Sequence, residues 1–176
     1  MKLARAIINS IDKINKIIGD VVKFLLLYMA ITLTFEVIAR YVFNSPTIWA
    51  FELSKHAMCY IGALGGGYTL MTNSHVKIDV LYGSLSFKKR AIIDIITSTL
   101  FFVFIGILLW ASISMAISSW ELKEHASTVL GAPLYFIKAA IPIGVTLVLL
   151  QGIAKLLRDI LTLVTGKEQE YMSLDS

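Results

Sequence analysis

The chain has 176 residues, a formal net charge of +4 and one cysteine; 57% of its residues are hydrophobic and only 16% are charged. Soluble domains average about 45–50% apolar and about 25% charged residues, and a chain this short cannot bury such an apolar excess. The same composition excludes a disordered protein, a disulfide scaffold and a cysteine-ligated zinc domain. The remaining class is an integral membrane protein, whose basic charge needs no nucleic acid as a partner.

The first predicted element is an amphipathic helix over residues 1–20. Aliphatic residues recur there at steps of three and four, and charged residues such as Arg5 and Lys13 take other faces. The aliphatic positions are Leu3, Ile7, Ile11, Ile14 and Ile18. This pattern predicts a helix lying on the inner membrane surface, in contact with lipid; an inner extension of the next span is the alternative. Asp12, Asp20 and the lack of a cleavage site exclude a signal peptide.

Four hydrophobic segments follow, each with the roughly 20 apolar residues that a membrane span requires. They run approximately from Val21 to Phe43, Ala50 to Thr72, Ile92 to Ile117 and Leu134 to Val164. The sequence therefore predicts an all-α integral membrane protein with four transmembrane helices and an N-terminal amphipathic interfacial helix. The transmembrane domain covers residues 21–166, and a cytoplasmic tail covers residues 167–176.

The basic residues predict the direction of the spans. The chain has 16 Lys and Arg residues, and 12 of them flank the same side of the predicted bundle. These are Lys2, Arg5, Lys13, Lys16, Lys23, Lys77, Lys88, Lys89, Arg90, Lys155, Arg158 and Lys167. Basic residues concentrate on the cytoplasmic side, so both termini are predicted to be cytoplasmic.

Ionisable residues gather at the outer ends of the first two predicted spans. Glu36 and Arg40 are one helical turn apart and can pair, and Glu52, Lys55 and His56 lie in the opening turns of the second span. Because the connection between these spans is short, the two helices form a hairpin and the five residues form one candidate ion-pair cluster. The favoured interpretation is an electrostatic staple, within the chain or to a partner; an ion or proton path is the alternative.

Two further features of the spans predict helix contacts. Gly62 and Gly66 form a GxxxG step, which allows another helix to approach closely, whether from this chain or from a partner. Gln151 is a lone amide in the fourth span and requires a hydrogen-bond partner.

No motif for an enzyme or a cofactor is present, since the sequence lacks a phosphate loop, a dinucleotide fingerprint and the zinc-protease and hydrolase signatures. His75 and Asp79 are four residues apart in the inner connection, but two ligands do not complete a metal site. We therefore expect no catalytic, cofactor-binding or metal-binding residues. A self-sufficient small four-helix transporter or exporter, acting as a homo-oligomer, is one functional class that remains.

Three stretches, in matching order, resemble the small membrane subunit of tripartite ATP-independent periplasmic (TRAP) transporters, the DctQ-like family. The first, Phe35 to Trp49 with Glu52 and Leu53, resembles the pattern E-V-x-x-R-Y-x-F-N-x-P-x-x-W followed by E-L or E-E. The second, His75 to Tyr82, resembles H-V-x-x-D. The fourth-span pattern is matched by Ala132 to Tyr135, Ile141 to Gly144 and Gln151 to Asp159.

The resemblance implies a small permease subunit of a bacterial inner membrane. Such a subunit braces a large TRAP membrane subunit, which carries the substrate and sodium sites, and it helps to dock a periplasmic substrate-binding protein that delivers an organic acid. No ion-binding or catalytic residue of the family belongs to the small subunit. The chain's length predicts a separate subunit rather than a fused one. The candidate docking residues on the outer face are Trp49, Trp120, Glu121 and Glu124.

Overall fold

The structure is a computed structural model that describes residues 2–72 and 87–165. This part of the chain folds into four α-helices and has no β-strand, only one isolated bridge between His125 and Pro133. The helices are α1 (Lys2–Tyr41), α2 (Ile48–Met71), α3 (Phe87–Glu121) and α4 (Leu134–Thr165). The predicted all-α fold is confirmed. We call the end with the α1–α2 and α3–α4 connections the outer end, and the opposite end the inner end.

The central helix is α4, which packs against the other three helices; α1 and α2 pack on each other, and α3 packs chiefly on α4. Glycines set the closest approaches. A Cβ at Gly144 would lie 1.8 Å from the backbone oxygen of Ala63, and a Cβ at Gly152 would lie 2.3 Å from the ring of Phe101. The absence of side chains at these two positions therefore lets α2 and α3 reach the α4 backbone.

The α1–α2 connection is a tight turn at the outer end. The N–H of Val42 donates to the carbonyl of Ile38 at 2.9 Å, and the N–H of Ser45 donates to the carbonyl of Ala39 at 3.0 Å, which closes the end of α1. Asn44 has a φ of 48°, in the left-handed region that asparagine tolerates better than most residues. The chain thereby reverses within a few residues, and α2 returns alongside α1.

The structure differs from the prediction in α1, which continues through residue 20 without a break. A helix of 40 residues is about 60 Å long, twice the thickness of the hydrocarbon core. Of the predicted aliphatic face, Ile11 is buried in a cluster with Ile8, Ala154 and Leu161, whereas Ile7 and Ile14 are exposed. The reason is that α4 also extends to the inner end and gives these turns of α1 a helical partner.

Three helices of the described ranges are long and apolar enough to cross a membrane by length and composition: Ala4–Tyr41, Ile92–Glu121 and Leu134–Val164. The predicted second span, now α2, is not among them, because Lys55, His56 and four glycines lower its hydropathy. The predicted inner connection with His75 and Asp79, and the predicted tail at 167–176, lie outside the described residues.

Candidate functional sites at the two ends of the bundle

At the outer end, Glu36 ties the α1–α2 turn together. The Nη2 and Nε atoms of Arg40 donate to one carboxylate oxygen of Glu36 at 2.6 and 3.1 Å. The other oxygen accepts from the backbone N–H of Thr47 at 3.1 Å and from the Thr47 hydroxyl. Thr47 is the residue before α2, and its hydroxyl bonds Glu36 instead of capping the helix. One buried carboxylate thus fixes both sides of the turn.

The second acidic residue of the predicted cluster makes a different contact. Glu52 is buried, and its carboxylate accepts a hydrogen bond from the Thr128 hydroxyl in the α3–α4 connection. The two carboxylates therefore anchor two different loops. This contact links residues 76 positions apart in the sequence, and no local spacing signals it.

Lys55 and His56 do not join these carboxylates. The Lys55 amine lies 5.2 Å from the ring centre of Phe51 on an exposed face, where a cation can interact with an aromatic ring. The Nδ1 of His56 lies 2.6 Å from the carbonyl oxygen of Glu52, one turn earlier in the same helix. The expected single cluster of five residues is therefore divided, because the carboxylates point to the loops while the two basic side chains stay on α2.

The α3–α4 connection and the adjoining turns of both helices form an outer cap, made of Trp120, Lys123, Glu124, Tyr135 and Lys138. The Lys123 amine lies 4.8 Å from the Trp120 ring centre and 5.3 Å from the Tyr135 ring centre, and the two rings meet edge to face at 5.1 Å. Lys138 and Glu124 form an ion pair at 2.5 Å. This ion pair and its hydrogen bond hold the pKa of the Glu124 carboxyl below its usual value.

The four candidate docking residues occupy unequal environments. Trp120 and Glu121 are exposed at the end of α3, and Trp49 is exposed beside Phe35, with ring centres 5.7 Å apart. Glu124, in contrast, is half-buried and engaged by Lys138. Glu121 is therefore the acidic side chain of this pair that remains available on the outer surface.

At the inner end, four buried polar side chains join α1 to α4. We call them the inner network: Asp12, Asn15, Gln151 and Arg158. Arg158 and the Gln151 amide donate to different oxygens of Asp12, the latter at 3.0 Å, and the Asn15 amide donates to Gln151 at 3.0 Å. All four residues are at most 4% exposed. The Gln151 amide, which the sequence left without a partner, thus connects two residues of α1.

The pairing of Asp12 with Arg158 is not apparent from the sequence. They are 146 residues apart, and in the sequence each belongs to the polar face of its own helix. One sequence signal could have indicated this pair. Asp12 and Arg158 carry opposite charges, each lies next to apolar positions of its helix, and both belong to helix segments predicted on the inner side of the membrane. A further ion pair at the inner end joins α4 to α3, because the amine of Lys155 lies 3.2 Å from the carboxylate of Asp94. The same amine also pairs with Asp159, one turn later in α4, at 3.1 Å.

Of the two GxxxG glycines of α2, only Gly66 lies close to another helix of the chain. A Cβ at Gly66 would lie 2.9 Å from Val148 of α4, whereas nothing lies within 4 Å of a Cβ at Gly62. The neighbouring Gly67 is tighter, with Asn15 Oδ1 at 2.0 Å from its ideal Cβ. The absence of a side chain at Gly67 therefore makes room for Asn15 of the inner network. No atom of this chain packs against the Cβ position of Gly62.

Among residues 2–72 and 87–165, no three His, Cys, Asp or Glu side chains come together in a way that could hold a metal ion. The buried carboxylates of Asp12, Glu36 and Glu52 each accept a hydrogen bond from a hydroxyl, an amide or a guanidinium of the same chain. The buried carboxylate of Asp159 accepts one from the Lys155 amine. These clusters can position helices and loops, which is the chemistry of a structural membrane component.

Comparison with known families identifies the class of this helical membrane protein. A family model described as "Tripartite ATP-independent periplasmic transporters, DctQ component" matches residues 29–162. The match covers most of the chain and includes α2, α3 and the two outer carboxylates, Glu36 and Glu52. The chain therefore belongs to the DctQ family of TRAP transporter components.

Two curated relatives agree with this family. The chain is 35% identical over 68 residues to the sialic acid TRAP transporter permease protein SiaT of Haemophilus influenzae, a match that covers 39% of this chain and 11% of that protein. It is 28% identical over 90 residues to the sialic acid TRAP transporter small permease protein SiaQ of Vibrio cholerae, covering 51% of this chain and 49% of that protein. The chain thus matches less than half the length of each of these relatives.

Proposed function

We propose that this chain is the small permease subunit of a TRAP-type secondary transporter and that it braces a large membrane subunit. The observation that carries the proposal is the family match over residues 29–162. The geometry supports it, because the polar groups at both ends fix helices and loops of the chain itself, while large apolar side chains of α1 and α3 face outward. On α3 these include Leu100, Phe104, Ile107 and Trp110, each at least 62% exposed.

In this proposal all four helices cross a bacterial inner membrane, with both termini in the cytoplasm. The 24 residues of α2 are about 36 Å long, enough for the hydrocarbon core, and its charged residues lie in the turns nearest the outer end. Lys55 is placed where a long basic side chain can reach the membrane surface. The inner end then carries the basic flanks of the chain, as the positive-inside rule requires.

Cysteine labelling tests this orientation. Cys59 is exposed and is first replaced by Ser, after which single cysteines are placed at Ser10 and Ser127, both exposed in the structure. A membrane-impermeant reagent added to intact cells with a permeable outer membrane should label position 127 and not position 10. Labelling of position 10 alone would reverse the proposed topology.

The substrate is proposed to be an organic acid taken up with sodium and delivered by a periplasmic binding protein. The names of both relatives specify sialic acid, which is an organic acid. Binding of the acid and sodium falls to the large subunit in this proposal, as the family relationship implies. The outer cap, with Glu121 exposed beside it, is the proposed contribution of this chain to binding-protein docking.

The role as a partner subunit is tested by co-purification. The tagged chain, expressed with the large subunit of the same transporter, should retain it through detergent extraction and size-exclusion chromatography, in a fixed stoichiometry. An unrelated four-helix membrane protein carrying the same tag is the control. If the chain instead elutes as a homo-oligomer that transports an organic compound after reconstitution by itself, the alternative of a self-sufficient small transporter replaces this one.

A further inference from the structure

The connection between α3 and α4 folds back on itself at the outer end. The backbone N–H of Ala126 donates to the carbonyl of Ala132 at 2.9 Å, and the N–H of Leu134 donates to the carbonyl of Glu124 at the same distance. The isolated β-bridge of the described residues joins the same two arms, which run antiparallel. We call residues 124–134 the cap hairpin.

The tip of the cap hairpin is a tight turn with a defined backbone shape. The N–H of Gly131 donates to the carbonyl of Thr128 at 3.0 Å, and Gly131 has a φ of 59°. Lys123, which leads from α3 into the hairpin, has a φ of 47° although it carries a side chain. Residues other than glycine rarely adopt this left-handed region, and they keep it where surrounding contacts hold it. The hairpin therefore has one particular shape, which its neighbours maintain.

Burial of apolar side chains does not explain this shape. Leu122, Val129 and Leu130 are 78%, 87% and 49% exposed, and no residue from 120 to 136 is buried. A loop ordered by the hydrophobic effect would cover such side chains instead. Polar contacts with the helices therefore hold the hairpin in place.

The cap hairpin has one polar anchor at its base and another at its tip. At the base, Glu124 pairs with Lys138 of α4. At the tip, the hydroxyl of Thr128 donates to the carboxylate of Glu52 of α2. Because Glu52 is only 3% exposed, water has little access to compete for this carboxylate, and hydrogen bonds to carboxylates are among the stronger ones. Helix α2 thus fixes the tip of a loop that belongs to α3 and α4.

We propose that Glu52 is a positioning residue for docking of the periplasmic binding protein. Through Thr128, it holds the cap hairpin in the shape that the binding protein contacts, while Glu52 itself stays buried below the surface. Recognition loops are typically carried by a rigid scaffold, and a loop that is ordered beforehand does not lose conformational freedom on association. The inference rests on the proposed function, in which the outer cap contributes to docking, and it names the residue that orders this surface.

Spin labelling tests the anchor in the chain by itself. With Cys59 replaced by Ser, a nitroxide at position 129 reports the mobility of the hairpin tip. Thr128→Val keeps the shape of the side chain but removes the hydroxyl, so it should make the label more mobile, whereas Thr128→Ser should not. A nitroxide at position 10, at the inner end, is the control and should be unaffected. An unchanged spectrum at position 129 in Thr128→Val would overturn the anchor.

Uptake measurements test the role in docking. Proteoliposomes with both membrane subunits are supplied with increasing concentrations of substrate-loaded binding protein. Thr128→Val should raise the half-saturating concentration about tenfold, which corresponds to about 1.4 kcal/mol of docking free energy. The maximal rate should not change, because saturating binding protein compensates for weaker docking. Ser127→Ala, which removes the exposed neighbouring hydroxyl, and Thr128→Ser are the matched controls and should keep the original half-saturating concentration.

A second variant separates this role from a general loss of folding. Thr128→Val by itself leaves the buried Glu52 without this donor, whereas Thr128→Val with Glu52→Leu removes both partners, which is usually tolerated better. The double variant should keep the Tm of the chain and its recovery of the large subunit, and it should show the same rise in half-saturating concentration. An unchanged half-saturating concentration in both variants, or a lower maximal rate alone, would contradict the inference. Failure of the proposed function differs, since the unmodified complex would then show no uptake that depends on the binding protein.

Discussion

The two ends of the bundle are held by buried polar groups in different ways. At the outer end, Glu36 and Glu52 each accept hydrogen bonds from a loop threonine, so the carboxylates fix connections to helix ends. At the inner end, Asp12 and Arg158 join one helix directly to another, with no loop residue involved. Arg40 of the outer end is half exposed, whereas Arg158 is 4% exposed. Similar ion pairs therefore have different consequences for stability, because water can replace a lost partner at the outer end and cannot at the inner end.

The largest expected effect is therefore at the inner network. Removing one partner of a buried ion pair leaves the other charge uncompensated, which typically costs about 3–5 kcal/mol. Arg158→Ala should destabilise the isolated chain by this order, and Arg40→Ala should cost clearly less. Thermal unfolding of the purified chain in one detergent compares the variants, with Lys13→Ala as the exposed-charge control. An equal decrease in Tm for Arg158→Ala and Arg40→Ala would contradict the proposed difference between the two ends.

The double variant Asp12→Leu with Arg158→Met sharpens the same comparison. Replacing both charges by apolar residues avoids a stranded charge, so the double variant should be more stable than Arg158→Ala alone. If the double variant is as unstable as the single one, the hydrogen bonds with Gln151 matter more than the charge balance. Unfolding under the same conditions measures the difference.

The next effect concerns the glycines that bring the helices together between the two ends. Gly144→Ala places a Cβ against the backbone oxygen of Ala63, which cannot move without shifting α2, and overpacking of this kind costs about 1–3 kcal/mol. Gly62→Ala is the matched control, because its Cβ meets nothing within 4 Å and alanine favours the helix by about 1 kcal/mol. A lower Tm for Gly62→Ala than for Gly144→Ala would contradict the packing described.

Much of this architecture could be predicted from the sequence, and the limits have physical causes. Helix content, the outer hairpin and the Glu36–Arg40 spacing follow from local periodicity. The Glu52–Thr128 and Asp12–Arg158 contacts depend on which helices become neighbours, and helical periodicity carries no such information. The division at residue 20 stays a prediction: hydropathy changes there, but α1 continues through this residue, since no proline or glycine pair interrupts the helix.

A smaller effect on stability is expected at the outer cap, where the contribution of Glu124 depends on pH. Because Lys138 lowers the pKa of Glu124 in the folded state, Glu124 contributes stability above the usual glutamate value of 4.5, and this contribution is lost as the pH falls through the lowered folded value. With Trp49 and Trp110 replaced by Phe, the emission of Trp120 should change in that acidic range. Glu124→Gln should remove this transition; its persistence would assign the change to another group.

The smallest expected effect is on association with a binding protein. Glu121→Lys reverses an exposed charge beside the outer cap and should slow uptake when the binding protein is limiting, because rim charges mainly steer encounter. The defect should shrink at high salt, where the screening length falls below the roughly 8 Å of physiological ionic strength. Lys2→Glu, at the opposite end, is the control. Unchanged uptake by Glu121→Lys would place docking on the large subunit alone.

Reconstitution of uptake tests the central claim, that this chain is an essential brace without transport activity of its own. Proteoliposomes containing the large subunit, with the binding protein and a radiolabelled organic acid outside, are compared with and without this chain under an inward sodium gradient. We expect sodium-dependent uptake only when both membrane subunits are present, and none from this chain by itself. Full uptake by the large subunit alone, or uptake by this chain alone, would contradict the account.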